Sequence, residues 1–301
     1  MGTGALGRHH VRILSGLSNA NLVGLYDSNE TVARGIAEEY GTRRFDSLES
    51  LAAEVDACVV AVPTVDHARV GCYLLGEGIH TLVEKPLAPS LEEADQLLQS
   101  AADRVLAVGH VEFYNPAVQR LLDLGGETGF VEIDRLAVFS PRSLDIDVVL
   151  DLMIHDIQIL HAIDPSPVAE IRAKGIAVLS EKIDIANARV ALTSGCVANL
   201  TASRVSADRV RKLRVFKPDH GYYSVDYHEQ SIKGFRIEKR GGERRILPDT
   251  LEIVRSEPLK EELEAFIASC RDEKRRVVLG DSGRRALKTA LEIVVAIKET
   301  G

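Results

Sequence analysis

The stretch Gly2-Thr3-Gly4-Ala5-Leu6-Gly7, followed by the amphipathic run Arg8–Leu17, the apolar run Leu22–Tyr26 and then Asp27, decides the fold. Its glycines fit G-x-G-x-x-G, in which they allow a tight turn, close approach of backbone to a pyrophosphate and close packing of the following helix. The amides at the start of that helix then face the phosphates. Asp27 stands 20 residues beyond Gly7, at the end of an apolar run, where an acid accepts hydrogen bonds from the adenosine ribose hydroxyls. A solvated turn acid is the alternative for Asp27, and a chance glycine-rich turn the alternative for the loop; the two signals together favour a dinucleotide. A charge at Asp27 repels a 2′-phosphate, and Ser28 and Asn29 bring no arginine to reverse this, so NAD is favoured over NADP. The first glycine is residue 2, which leaves no room for the strand that should precede such a loop. The expectation is a Rossmann domain whose first strand is missing, with the natural start lying several residues upstream of Met1.

Working outward, the next hundred residues alternate short apolar runs with helix-spaced stretches, the pattern of βαβ units and a parallel sheet. Strands are predicted at Leu22–Tyr26, Ala57–Val62, His80–Val83 and Val105–Val108, and helices near Arg8–Leu17, Thr31–Tyr40, Leu48–Ala53, His67–Glu77 and Leu91–Ser100. After Asn115-Pro116 the texture changes. Val131–Phe139, Glu170–Ala177, Ile185–Leu192, Cys196–Ser203, Lys212–Phe216, Tyr222–Tyr227 and Gly234–Lys239 alternate or run apolar with few helices between, which reads as a mostly antiparallel sheet. One helix interrupts them, Val148–Ile163, and helices near Leu259–Arg271 and Ser282–Lys298 close the chain. The fold class is α/β, with residues 1–115 as a dinucleotide-binding domain and 116–301 as a second α/β domain for substrate and oligomerisation.

Composition narrows the partners. The 301 residues are 45% hydrophobic and 27% charged, which suits a globular chain and excludes disorder and collagen. Lys plus Arg number 37 against 45 Asp plus Glu, a formal charge of -8 whose field repels nucleic acid and anionic membrane. Small molecules or further copies of the chain fit better. Cys58, Cys72, Cys196 and Cys270 stand far apart with no C-x-x-C pair and no His at ligand spacing, so no metal site is expected and the thiols are read as reduced. The longest apolar run, Ala57 to Val62, is far below the roughly 20 residues that span a bilayer, and no signal pattern opens the chain. A cytoplasmic protein is expected.

Two constellations carry chemistry. His80-Thr81-Leu82-Val83-Glu84-Lys85-Pro86 ends a strand with a Glu-Lys-Pro turn, at the carboxyl end where parallel sheets bind ligands. A partly desolvated lysine there can exchange a proton with a substrate hydroxyl; the competing reading is a surface Glu–Lys pair worth little. In Val148 to Leu160, a helix apolar nearly all round, Asp151 and His155 stand four apart on one face, and Asp156 follows. Burying them unpaired is costly, so that face should meet a partner, a cleft or a ligand, with His155 as general base and Asp151 orienting it. A satisfied core histidine is the bland alternative. The segment Gly109–Pro116 could line the nicotinamide side or be a plain crossover. Arg204, Arg209, Arg211, Lys212 and Arg214 form a basic run suited to a diphosphate, a subunit contact or, for most of them, a solvated sheet edge.

The loop Gly2–Gly7, Val62-Pro63-Thr64 with His67, Glu84-Lys85-Pro86, Gly109-His110 with Asn115-Pro116-Ala117, and Asp151 with His155-Asp156 together resemble the glucose-fructose oxidoreductase / inositol dehydrogenase family, Gfo/Idh/MocA, over essentially the whole chain. The resemblance implies a Rossmann domain, a second domain on a large open sheet, and homodimers or homotetramers built through that sheet. It implies cofactor contacts from Gly2, Thr3, Gly4, Ala5, Leu6, Gly7, Asp27, Pro63, Thr64, His67, Glu84, Lys85 and Asn115. It also implies catalysis by Lys85, His155 and Asp151, and substrate contacts from these with Arg142 and Arg204. The segments Asp147–Asp156 and Ala198–Arg204 look most like a bacterial subgroup of lipid A sugar modification that oxidises the C3 hydroxyl of UDP-N-acetylglucosamine to a ketone with NAD. Phe113-Tyr114 stands where related sequences often carry Arg-Phe. The alternatives are a free-sugar, inositol or dihydrodiol dehydrogenase of the same family and, from another class, a non-catalytic Rossmann ligand sensor; retention of both Lys85 and His155 argues against the sensor.

Overall fold

A computed structural model describes residues 1–139, 146–218, 220–240 and 243–299. The chain divides into two compact units, Met1–Val111 with Glu257–Leu287, and Glu112–Ser256 with Lys288–Gly301.

In the first unit α1 (Ala5–Leu14), β1 (Gly24–Leu25), α2 (Glu30–Tyr40), β2 (Arg43–Arg44), α3 (Leu48–Ala52), β3 (Ala57–Val60), α4 (His67–Gly76), β4 (His80–Glu84), α5 (Leu91–Ala101) and β5 (Leu106–Gly109) alternate as the apolar spacing predicts. Local chemistry sets the helix ends. Asn29 caps α2 by accepting from the Val32 amide and Gly41 closes it at φ +62°, while Ser47 and Ser50 form a capping box on α3. The named strands here pair in parallel, but they fall into two pieces, β1-β2 and β3-β4-β5. The tail helix α8 (Pro258–Cys270) belongs to this unit, not to the second domain to which residues 116–301 were assigned. Its Leu263, Phe266 and Ile267 pack with Ile13, Leu17 and Leu82, and burial of that stripe decides where the helix sits.

Between the two sheet pieces lies a cavity of about 470 Å³, walled by Leu22–Leu25 on one side and Ala57–Val59 on the other, with α1 and α8 residues also lining it. Met1 and Gly2 bridge its end with main-chain hydrogen bonds in the parallel pattern. The Met1 amino group donates to Val59 O at 2.8 Å, Ala61 N donates to Met1 O at 2.8 Å, and Gly2 N donates to Tyr26 O at 2.9 Å. Among the described residues no strand lies between β1 and β3, and β1 is two residues long where Leu22–Tyr26 was predicted. A strand without a neighbour on one edge has no ladder to extend it. Five β-branched residues fused ahead of Met1 are expected to fill this slot. Apolar burial at roughly 1.5–3 kcal/mol per side chain exceeds a backbone ordering cost of about 1–2 kcal/mol per residue, so Tm should rise by several degrees. A Gly-Ser extension of equal length is the control; equal melting curves for the two would refute the filling of the slot.

The second unit opens with α6 (Pro116–Asp123), whose Asn115 cap accepts from the Ala117 amide and whose Pro116 sits in the first turn. β6 (Phe130–Leu136), α7 (Ile154–Ile163), β7 (Val168–Ile176), β8 (Ile185–Leu192), β9 (Val197–Ser203), β10 (Val210–Lys217), β11 (Gly221–Asp226), β12 (Ser231–Arg240) and β13 (Glu243–Leu251) follow. The strands form one eight-stranded sheet in the order β13-β12-β11-β10-β6-β9-β8-β7. Every pairing is antiparallel except β6 with β9. Period-2 alternation turns Val131, Ile133, Ala198, Leu200, Leu213, Val215, Tyr223 and Val225 inward. The sequence reading did not anticipate β2 or β13. β13 carries charged residues and Pro248, the composition of an edge strand. The helix expected over Val148–Ile163 is two elements, a π-helical turn, Val149–Met153, that runs into α7. α9 (Gly280–Glu299) starts in the first unit and ends in the second.

Candidate active site

In the first unit the loop has the geometry a pyrophosphate needs. Gly2 adopts φ +77°, and a Cβ there would come within 2.6 Å of Ala61 O; a Cβ on Gly7 would come within 2.0 Å of Gly2 O. Both glycines are therefore demanded by the turn itself. A Cβ on Gly4 would meet nothing within 4 Å, so that backbone is open to a ligand. Gly4 caps α1 with no side-chain hydrogen bond and no acid stands in the first turn, which leaves the helix amides to a phosphate. The Asp27 carboxylate accepts from Thr3 N at 2.6 Å and Thr3 Oγ1 at 3.1 Å through one oxygen, and from Asn29 N at 2.8 Å through the other. It is held at the end of β1 with lone pairs remaining for ribose hydroxyls. Leu6 is exposed and Ala5 begins the helix, so these two contribute main chain and not side-chain chemistry. Residues with these properties fit a nicotinamide dinucleotide.

Other residues expected to touch the cofactor are engaged within the protein. His67 is buried, its Nδ1 2.9 Å from Pro86 O and its Nε2 3.0 Å from Val62 O, and burial lowers its pKa. It staples the Pro63-Thr64 turn to the Glu-Lys-Pro turn. Asn115 accepts from Ala117 N and donates to Tyr227 O at 2.9 Å, with little surface left for a ligand. Glu84 is buried, and His10 Nε2 lies 2.7 Å from its Oε1. Lys85 is half-buried at the carboxyl end of β4. His110 beside it is fully buried and pushed down to about 3 by that burial and by the Lys85 charge, so it stays neutral. No spacing in the sequence marks His10; its match to a buried carboxylate is visible only in three dimensions.

In the second unit Asp151 lies in the π-helical turn and His155 in the first turn of α7, half-buried and buried respectively. A π turn inserts one residue into the helical ladder, a distortion common at functional sites. Asp156 does not share their role. It is buried and takes Arg135 through Nε at 3.0 and 2.9 Å and Nη2 at 2.6 Å, while Arg135 Nη1 donates to Glu112 at 2.8 Å. Arg211 Nη1 donates to the same Glu112 oxygen at 2.8 Å, and the Arg135 guanidinium lies 5.3 Å from the Tyr227 ring centroid. This network anchors α7 to β6 behind His155. Arg204, expected at the substrate, is buried and donates to Asp184 at 2.7 Å, Ile146 O at 2.8 Å and Ser180 Oγ at 3.0 Å, a brace across strand ends. Arg214 faces Glu132 and Asp134 at 3.4 and 3.3 Å. Arg142 lies outside the described residues. Arg135, the centre of the buried network, gave no signal in the sequence beyond a charge at an inward position of an alternating strand.

Residues 1–113 match the family described as oxidoreductase family, NAD-binding Rossmann fold. The chain is 37% identical over 306 residues to a UDP-N-acetylglucosamine 3-dehydrogenase of Acidithiobacillus ferrooxidans, covering 99% of this chain and 96% of that protein. A solved structure of that dehydrogenase superposes with a TM-score of 0.91 over 99% of this chain and 96% of its own. A myo-inositol 2-dehydrogenase of Thermotoga maritima is 25% identical over 310 residues, 95% of this chain and 92% of that protein. Among the described residues no helix is long and apolar enough to cross a membrane. A glycine loop demanded by its own turn, an acid held at the end of β1, a lysine at the end of β4 and 37% identity over nearly the whole chain to a dehydrogenase converge: this chain belongs to the Gfo/Idh/MocA family of oxidoreductases.

Proposed function

We propose that the protein oxidises the C3 hydroxyl of UDP-N-acetylglucosamine to a ketone with NAD. The observation that carries this reading is 37% identity across 99% of the chain to an enzyme of that name. NAD over NADP rests on Asp27, whose carboxylate repels a 2′-phosphate and suits a free 2′-hydroxyl. A nicotinamide held by the glycine loop and Asp27 would supply the acceptor for the hydride of the carbinol carbon. The chain's own residues handle the proton. Lys85 hydrogen-bonds the substrate hydroxyl, His155 takes its proton as general base, and Asp151, one turn earlier, orients the imidazole. The first unit serves as the cofactor domain and the second as the substrate domain. The 3-keto product then suits an aminating enzyme as the next step.

The reaction is tested with purified protein, NAD or NADP, and a panel of UDP-sugars and free polyols, following reduced nicotinamide. Turnover on UDP-N-acetylglucosamine with NAD is the expected result. Turnover on free polyols alone would replace the substrate, and binding without turnover would make the protein a sensor.

We further propose that the chain assembles as a homodimer or homotetramer through the open face of the second unit's sheet. In support, strand register places Phe130, Phe216, Tyr222, Phe235 and Pro248 in one row across five strands. Ring centroids lie 5.7 Å apart for Phe130 and Phe216 and 4.9 Å for Phe216 and Tyr222, and Phe235 is 49% exposed. An apolar row that is exposed at Phe216, Phe235 and Pro248 and half-buried at Phe130 and Tyr222 suits a contact surface. Phe235→Glu is expected to shift the species seen by light scattering toward monomer; an unchanged mass would place the contact elsewhere.

A further inference from the structure

His10 on α1, Glu84 at the end of β4 and Glu262 on α8 meet in the interior of the first unit, each buried, with one side-chain N or O atom of each lying within 4.8 Å of the others'. Glu84 is well provided: His10 Nε2 lies 2.7 Å from one oxygen, and the Lys85 amide donates to the other at 3.2 Å. Its carboxylate packs on Gly109, where a Cβ would come within 2.9 Å of Oε2. Glu262 is the reverse case. It is 0% exposed, and neither of its oxygens receives a hydrogen bond from a described residue.

Two carboxylates this close and away from water do not both ionise, because each ion loses its hydration and the two repel. The one receiving donors keeps the charge and the other keeps the proton. We propose that Glu262 is a positioning residue for Lys85: as a neutral carboxylic acid it donates to Glu84, and Glu84, held also by His10, fixes the main chain at Lys85. Burial, with the Glu84 charge as a second cause, raises the Glu262 pKa well above the usual carboxyl range, in agreement. A divalent cation fits less well. The contact of 2.7 Å between His10 and Glu84 is a hydrogen bond, closer than two ligands about 2.0–2.2 Å from one ion would stand, and His10 Nδ1 has no partner of the kind that orients a ligating histidine. The cluster ties the helix after the cofactor loop, the Glu-Lys-Pro turn and the tail helix to one proton.

The inference rests on Lys85 being the catalytic lysine, and its test separates the two. Glu262→Gln keeps a donor in the same shape; Glu262→Leu removes it. Infrared spectra of the full chain at neutral pH should show the carbonyl band of a protonated carboxylic acid in the wild type and in neither variant. With UDP-N-acetylglucosamine and NAD, Glu262→Leu should lower kcat by about tenfold or more with KM and NAD affinity little changed, the result of a small misplacement, and Glu262→Gln should restore most of it. A wild type without the band, a band retained in Glu262→Leu, a Gln variant as impaired as the Leu variant, full activity in Glu262→Leu, or one equivalent of tightly bound divalent metal would each overturn the proposal. If no sugar is oxidised, the reading of Lys85 fails while the band still reports the proton. If Glu262→Leu does not fold, the wild type against Glu262→Gln decides.

Discussion

Replacing Arg135 by Met is expected to cost about 3–5 kcal/mol of stability, the range for removing one partner of a buried ion pair. Arg135 is 2% exposed and is the counter-charge for Asp156, itself 1% exposed, while Glu112 also receives Arg211. Without the guanidinium, Asp156 is left charged and dry on α7, next to His155, or must take up a proton. Against a typical total of about 5–15 kcal/mol this is a large share, and it should appear as a lower urea midpoint with an unchanged slope. Arg135→Met combined with Asp156→Leu should recover much of the loss, because no orphaned charge remains. Equal midpoints for wild type and Arg135→Met would show that the network contributes nothing net. Since the same network seats α7, the single variant should also lose turnover beyond what its unfolded fraction explains.

Lys85→Met is expected to lower turnover by roughly a hundredfold to ten-thousandfold, the usual contribution of a positioned acid–base group, with NAD binding near that of the wild type. His155→Asn should behave alike. The contrast between chemistry and binding is the informative part: NAD titration reads the glycine loop and Asp27, which neither substitution touches, and steady-state rates read proton handling. Undiminished activity in either variant would remove that residue from the mechanism. Loss of NAD binding together with activity would point instead to a folding or cofactor-site defect.

The first unit was legible because its information is local. Gly2 and Gly7 report a turn that only glycine can make, and the apolar runs at Ala57–Val60, His80–Glu84 and Leu106–Gly109 report a buried parallel strand whatever lies beside them. The same locality does not show what His67 and Asn115 face. A motif position says where a residue stands and not what its polar atoms face, and both side chains are taken up by carbonyls and amides of the protein itself. Arg204 and Asp156 were drawn into site readings by their neighbours in sequence, whereas their partners, Asp184 and Arg135, lie 20 and 21 residues away.

By itself, then, the sequence determined the fold class, the glycine turn at Gly2 and Gly7, the place of Asp27 after β1, the Glu-Lys-Pro turn and the alternation of the second sheet, since backbone sterics and hydrophobic periodicity act over a few residues. Tertiary structure alone decided which charges neutralise which. Asp156 answers to Arg135, Glu262 shares a buried cluster with His10 and Glu84, and α8 joins the first unit across more than a hundred residues of intervening chain. Desolvation and pairing depend on what arrives from distant segments, and no spacing rule along the chain records that.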